Sequence, residues 1–355
     1  MSYVKLQPSD FVISADSITV PTWTSNDPTL VAFYTSSTYS PAPEFYLNVF
    51  QTSSLSADAE IQFDIAYGHV SGSGSTYYND LVPSNSPTKT VYGQYRTLIF
   101  GDENTGFTFG VGSTSGQSGI STTSPVTSPD IFILNIERTR YKEHLLPGSF
   151  NLYLTDGTNT LKLSDNSSTV TVNTYLDCGR AFDIVSGSFG VPTTTSVEAG
   201  VVAGYTASGS YGYFLPDIGV IVLNPRALSL PFAKGGVSIN ANTNPDVAAY
   251  NYQLLYNAIS GSNAQYFQLN SEETISSDYI FVRVSNQDFN YTTNPSMISG
   301  SGDFVYPNFI NSPQTYITTV GLYNDNNELL AVAKTSKPLV KDFTKEALFR
   351  IKLDW

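Results

Sequence analysis

Few side chains in this 355-residue chain could do chemistry: two histidines, His69 and His144, one cysteine, Cys178, and 30 acids. A protein zinc site draws its ligands from His, Cys and carboxylates at defined spacing, commonly an HExxH helix or a CxxC clip. The two histidines lie too far apart for the first pattern, and a lone cysteine cannot make the second. No glycine-rich stretch has the GxxxxGK[ST] spacing that cradles phosphate, or GxGxxG between a strand and a helix, and no GxSxG elbow occurs. A Ser, Thr or Cys nucleophile would meet its histidine in space, not along the chain. By context His69, between Gly68 and a serine-rich run, reads as a loop residue, and His144, ahead of Leu145-Leu-Pro-Gly148, as a surface or turn residue. The carboxylate pair of a glycosidase is available among the acids, but no local cluster singles out two of them. Asp325 lacks the DxDxDG register of a calcium loop and reads as part of a turn. The reading is of a protein that is not an enzyme, with no catalytic residue, metal ligand or cofactor.

Charge is more informative. The chain carries 17 Lys and Arg against 30 Asp and Glu, a net −13, which repels the phosphate backbone and disfavours nucleic acid as a partner. Between residues 334 and 352 the balance reverses, because Lys334, Lys337, Lys341, Lys345, Arg350 and Lys352 face only Asp342 and Glu346. Such a segment suits docking on an acidic surface of another protein or another copy, and lysines also guard sheet edges. These six residues, with the apolar terminal residue Trp355, form the candidate interface.

The elements that carry them are strands. Thr315–Tyr323 and the run 328–334 are rich in β-branched, aromatic and aliphatic residues, and Asn324-Asp-Asn-Asn327 between them predicts a hairpin. Phe349, Ile351 and Leu353 then alternate with Arg350, Lys352 and Asp354, which predicts a third strand with an apolar and a charged face. Upstream, strands are expected over 10–14, 44–50, 60–65, 131–136, 169–176, 181–185 and 219–223. A hairpin is expected at 150–163 around Asp156-Gly157. Asn244 as N-cap, Pro245 at the first helical position and Gly261 as stop predict a helix over 245–260. Residues 68–76 read as a flexible turn, and 110–129, almost all Gly, Ser, Thr and Pro, as a long loop.

The 24 Tyr and 21 Phe beside two Met suit pleated sheets. The fold class is therefore mainly β, with antiparallel β-sandwich-type domains and one or two short helices. Three regions are expected: an N-terminal β region over 1–65, a central β domain over 66–243 and a C-terminal helix and hairpin domain over 244–355. Charged residues make up only 13% of the chain, which leaves Ser, Thr, Asn and Gly to form a polar surface suited to broad contact with other protein copies. One cysteine cannot form an intrachain disulfide, and no run of about 18 apolar residues or signal peptide is present. These features predict a soluble protein made in a cytoplasm, with no membrane span.

Four strings carry a resemblance: Ser86-Pro-Thr-Lys-Thr-Val-Tyr-Gly-Gln-Tyr-Arg96, Tyr141-Lys-Glu-His-Leu-Leu-Pro-Gly-Ser-Phe150, the run from Tyr213 to Pro225, and the run from Tyr316 to Lys334. Together they resemble structural virion proteins of contractile-tailed phages that infect cyanobacteria, and the last is similar to a hairpin of tail and baseplate-associated proteins. The resemblance covers most of the chain from about Ala66 onward and carries scaffold patterns, not a catalytic signature. It implies a virion structural protein of the tail or baseplate region, assembled in the host cytoplasm with other virion proteins and copies of itself. A host-glycan-binding adhesion module of the tail, with Tyr, Trp23 and Trp355 stacking on sugars, is the alternative.

Overall fold

The computed structural model describes residues 3–35, 45–75, 86–109, 126–171, 174–192, 211–244, 249–261, 266–292 and 294–354. The chain divides into two units: Ile18–Glu273 is one, and Met1–Ser17 together with Thr274–Trp355 is the other. We call them the inserted unit and the terminal unit. This differs from the expected three regions because strands far apart in sequence pair with one another. Tyr46–Phe50 and Ile61–His69, expected in a separate N-terminal region, join the sheet of Asp130–Ile136.

Every strand pairing with a described register is antiparallel, and the fold is mainly β as expected. In the inserted unit one large sheet runs from Thr29–Leu30 through Phe267–Gln268, Asn151–Thr155, Thr160–Asp165, Gly179–Ser188, Gly212–Leu215, Val220–Leu223, Asp130–Ile136 and Ile61–His69 to Tyr46–Phe50 and Tyr34–Thr35. Six strands separate Ile61–His69 from Phe267–Gln268 in that order, yet the rings of Phe63 and Phe267 lie 5.3 Å apart. The sheet therefore curls back on itself, as the right-handed twist of adjacent strands favours. Inside the curl Trp23 lies 4.9 Å from Phe267, and Phe150 stacks on Phe214 at 5.4 Å. The Trp23 indole N–H is satisfied by the carbonyls of Pro28 (2.9 Å) and Phe267 (3.0 Å).

The strand Asp130–Ile136 shows why an unbroken apolar run is needed. Phe132, Leu134 and Ile136 enter the core inside the curl, whereas Ile131 and Ile133 enter a second core on the other face. A strand covered on both faces has no polar side to present. The second core is roofed by the helix Pro87–Phe100 through Val91, Tyr92 and Ile99. Gly68 allows that roof to sit close: a β-carbon there would lie 2.9 Å from the backbone nitrogen of Tyr92. The inner core is closed by Tyr252, Leu255, Ala258 and Ile259 of the helix Asn251–Ser260.

The expected helix over 245–260 thus begins later, at Asn251, and residues 245–248 lie outside the described residues. The Asn244 N–H donates to Asn242 Oδ1, so the expected N-cap belongs to a local turn. The helix Pro87–Phe100 was not predicted, although Pro87 stands at its start and Gly101, with φ of 64°, at its end. Of the expected strand over 169–176, Thr174–Leu176 is present. The predicted loop over 110–129 falls largely outside the described residues, but Val126–Thr127 pairs with Thr108–Phe109.

In the terminal unit, Ser277–Val284 pairs in register with Ala347–Asp354. The separate two-stranded hairpin Thr315–Tyr323 and Leu329–Lys341 follows the expected turn. Asn324 Oδ1 accepts the N–H groups of Asn326 (3.0 Å) and Glu328 (2.8 Å), and Asn327 takes the left-handed conformation that asparagine tolerates. The strand after the hairpin does not extend it, because it belongs to the other sheet.

Replacing Phe267 by alanine removes the ring shared by Trp23, Phe63 and Phe150. We expect about 3–5 kcal/mol of lost stability in urea unfolding, with Leu348→Ala, an exposed position, as the near-neutral control.

Candidate functional site

The polar residues singled out in the sequence fall into three places. His69 is not in a loop. It ends the strand Ile61–His69, is buried, and is the register partner of Asp130. Both oxygens of Asp130 are occupied, by the Tyr67 hydroxyl at 3.0 Å and the Ser128 hydroxyl at 3.2 Å. His69 Nδ1 accepts the backbone N–H of Ser71 at 3.1 Å, which places the ring proton of the neutral imidazole on Nε2. Burial raises the Asp130 carboxyl, partly offset by Tyr67 and His69, and burial lowers the His69 imidazole against the pull of Asp130. Ser71 Oγ lies 3.0 Å from Nδ1 as well, but through a local turn two residues long. The set has the residue types of a nucleophilic triad and the geometry of a structural anchor.

The segment that follows is anchored too, contrary to the expected flexible turn over its described part, 68–75. Ser75 and Ser86 donate to the Gly72 carbonyl at 3.0 and 2.7 Å, and Thr88 donates to the Ser73 carbonyl at 2.9 Å. All three hydroxyls are buried, so they tie the strand end to the start of the roofing helix without any charge.

His144 pairs across strands with Glu272, Nε2 to Oε2 at 3.0 Å. Beside them Arg180 grips Asp217 through its backbone N–H, Nε and Nη2. Burial alone would raise the Asp217 carboxyl, but these bonds hold it below the usual range. A recess of about 150 Å³ is lined by Asn166, Leu176, Asp183 and Tyr213, below the size of an ordinary ligand pocket. Among the described residues no three His, Cys, Asp or Glu side chains gather as a metal site would require, and no helix is long and apolar enough to cross a membrane.

The candidate basic interface is split by the structure. Lys341 is fully buried, with Nζ donating to Asn286 O (3.0 Å), Asn290 Oδ1 (2.9 Å) and Asp342 O (2.9 Å). Each ammonium proton has an acceptor, so Lys341 is an internal clamp, not a docking residue. Lys345 pairs with Asp342, Lys352 with Asp354, and Arg350 lies over the Tyr279 ring at 5.7 Å. Lys334 and Lys337 are exposed on the hairpin, and Trp355 lies outside the described residues. Trp23, a candidate sugar platform, is buried and hydrogen bonded, which removes it from that role.

The feature that sequence reading missed is what the hairpin lacks. No side chain on Thr315–Tyr323 or Leu329–Lys341 is buried except Lys341. Tyr316, Leu330 and Val332 are 62%, 69% and 57% exposed. Among the described residues of the terminal unit only Ile280, Val284, Phe309 and Ile351 are buried apolar side chains. A body of roughly 100 residues normally encloses far more. The inserted unit also holds 20 of the 30 acids and 9 of the 17 basic residues, so the acidity of the chain is concentrated there.

Lys341→Met would leave three acceptors without their donor. We expect about 2–3 kcal/mol of lost stability, read by urea unfolding, with Lys337→Met unchanged. Asp64, whose buried Oδ1 has no partner, is pushed up to about 6 by burial and by Glu137, against a bond from Asn135. A raised carboxyl favours the folded state below its ordinary pKa of 3.8 and loses that advantage as pH rises through about 6. Asp64→Asn should therefore stabilise the protein at pH 7.5, by about 1 kcal/mol once partial solvation is allowed for, and leave it unchanged at pH 3. Equal effects at both pH values would contradict the assignment.

No family model, no curated protein and no solved structure matches this chain.

Proposed function

We propose that this chain is a structural component of a phage virion, in the tail or baseplate region, acting by protein–protein assembly. Its partners are other virion proteins and copies of itself, brought together in the host cytoplasm. The observation that carries the reading is the terminal unit: an exposed apolar hairpin on a body with four buried apolar side chains among its described residues. Large subunit interfaces supply the burial that such a unit lacks, and they make its stability depend on its neighbours. The resemblance of the run from Tyr316 to Lys334 to tail and baseplate hairpins supports the same assignment. The inserted unit, with its double core and anchored polar groups, serves as the rigid scaffold. The role is geometric and involves no turnover.

The test is on particles. Mass spectrometry of purified virions from the phage that encodes the chain should detect it at a fixed stoichiometry. The doubly substituted Leu330→Asp, Val332→Asp chain should melt as the parent does and enter particles at least tenfold less, a loss of about 1.4 kcal/mol or more in binding. Absence of the parent chain from purified particles overturns the proposal.

A further inference from the structure

We infer that Thr315–Tyr323 is an open sheet edge built to pair with the same strand of a second copy, antiparallel about a two-fold axis. The inference deepens the assembly reading by naming one contact. It starts from the difference between the two edges of the hairpin. Leu329–Lys341 bears Lys334, Lys337 and Pro338. It also bears both irregularities of the pairing: Ile317 and Thr319 face Leu339 and Lys334, and Leu322 and Tyr323 face Ala331 and Leu329. In each case the surplus residues are on the Leu329–Lys341 strand. Lysine, proline and bulges are three of the devices by which proteins block strand addition. One edge has all of them.

The other edge has none. Thr315-Tyr-Ile-Thr-Thr-Val-Gly-Leu-Tyr323 contains no charge and no proline, and seven of its nine residues are aromatic or β-branched. Among the described residues it pairs only with Leu329–Lys341. Its backbone groups on the far side are a ready template for one more strand.

The occupant that fits is the same strand. A two-fold axis brings any charge near the axis close to its own copy, and this strand has no charge to be repelled in that way. Centred on Thr319, the pairing sets Tyr316 opposite Leu322 and Thr318 opposite Val320, which are favourable cross-strand combinations. The product is a four-stranded sheet, and two strands alone are marginal in water whereas three or more are not. Its two outer edges are then both Leu329–Lys341 strands with their lysines, prolines and bulges. Growth stops at the pair, which is the closed isologous contact expected of a two-fold dimer.

The experiment uses the full chain and two single variants, Thr318→Lys and Thr318→Glu, at an exposed position close to the proposed axis. Sedimentation velocity over a concentration series should show the parent as a reversible dimer. Each variant alone should dissociate at least about tenfold more readily, because two like charges then lie diagonally across the axis on one face of the sheet. An equimolar mixture of the two should recover the parent affinity, because opposite charges then meet across the axis. Thermal melting of the variants diluted below dimerisation should match that of the parent diluted equally. A parent that is monomeric throughout, or variants that associate as the parent does, would overturn the contact. So would two weakened variants that do not rescue each other in the mixture. A chain that dimerises in this way yet is absent from virions retains the contact and loses the virion role. One found in virions but monomeric in solution does the reverse.

Discussion

Phe63 and Phe267 meet across a gap of six strands, and the inserted unit depends on that meeting. An open sheet of so many strands would expose one of its faces. Curling brings its distant strands into one core, with Trp23 held by two carbonyls as the wedge between them. Once the curl is fixed, the other face needs a cover of its own, and the helix Pro87–Phe100 provides it over Gly68. The buried hydroxyls of Ser75, Ser86 and Thr88 are a consequence of the same closure. The strand end and the helix start are brought together away from water, and each donor and acceptor must then be matched.

The molecule handles polarity with hydroxyls and amides where many proteins use charges. Only 13% of its residues are charged, and the buried Asp130, Asp165 and Lys341 are hydrogen bonded by neutral partners. Neutral hydrogen bonds are directional and insensitive to salt, so the geometry they hold is stable across ionic conditions. Under the proposed assembly role, that constancy matters more than a high stability of the isolated chain.

Strands and turns were legible in the sequence wherever alternation was strict or a turn residue was required. The 151–165 hairpin, the buried run Asp130–Ile136 and the hairpin closed by Asn324–Asn327 all read directly, because each is determined by neighbours in sequence. Pro87–Phe100 did not: its hydrophobic periodicity is shallow, and its Gln, Thr and Gly residues dilute the pattern. Nor could sequence spacing show that 1–17 belongs with 274–355, since that follows from pairing over long separations. At the candidate site, the basic count from Lys334 to Lys352 was correct, but lysine is one letter whether exposed or caged. Lys341 is distinguished only by Asn286 and Asn290, some 50 residues upstream. The missing core of the hairpin was equally invisible, because an apolar strand looks the same whether or not anything covers it.

The insertion of one unit within the other also orders events during synthesis. Within its sheet the Phe11–Pro21 strand is made first, its partner Asn270–Val284 emerges about 250 residues later, and Ala347–Asp354 later still. At ordinary elongation rates of about 5–20 residues per second, the early strand waits tens of seconds while the intervening unit can fold. Of the two units, the terminal one is completed after the inserted one. The hairpin is thus withheld from the nascent chain until the inserted unit has had time to form.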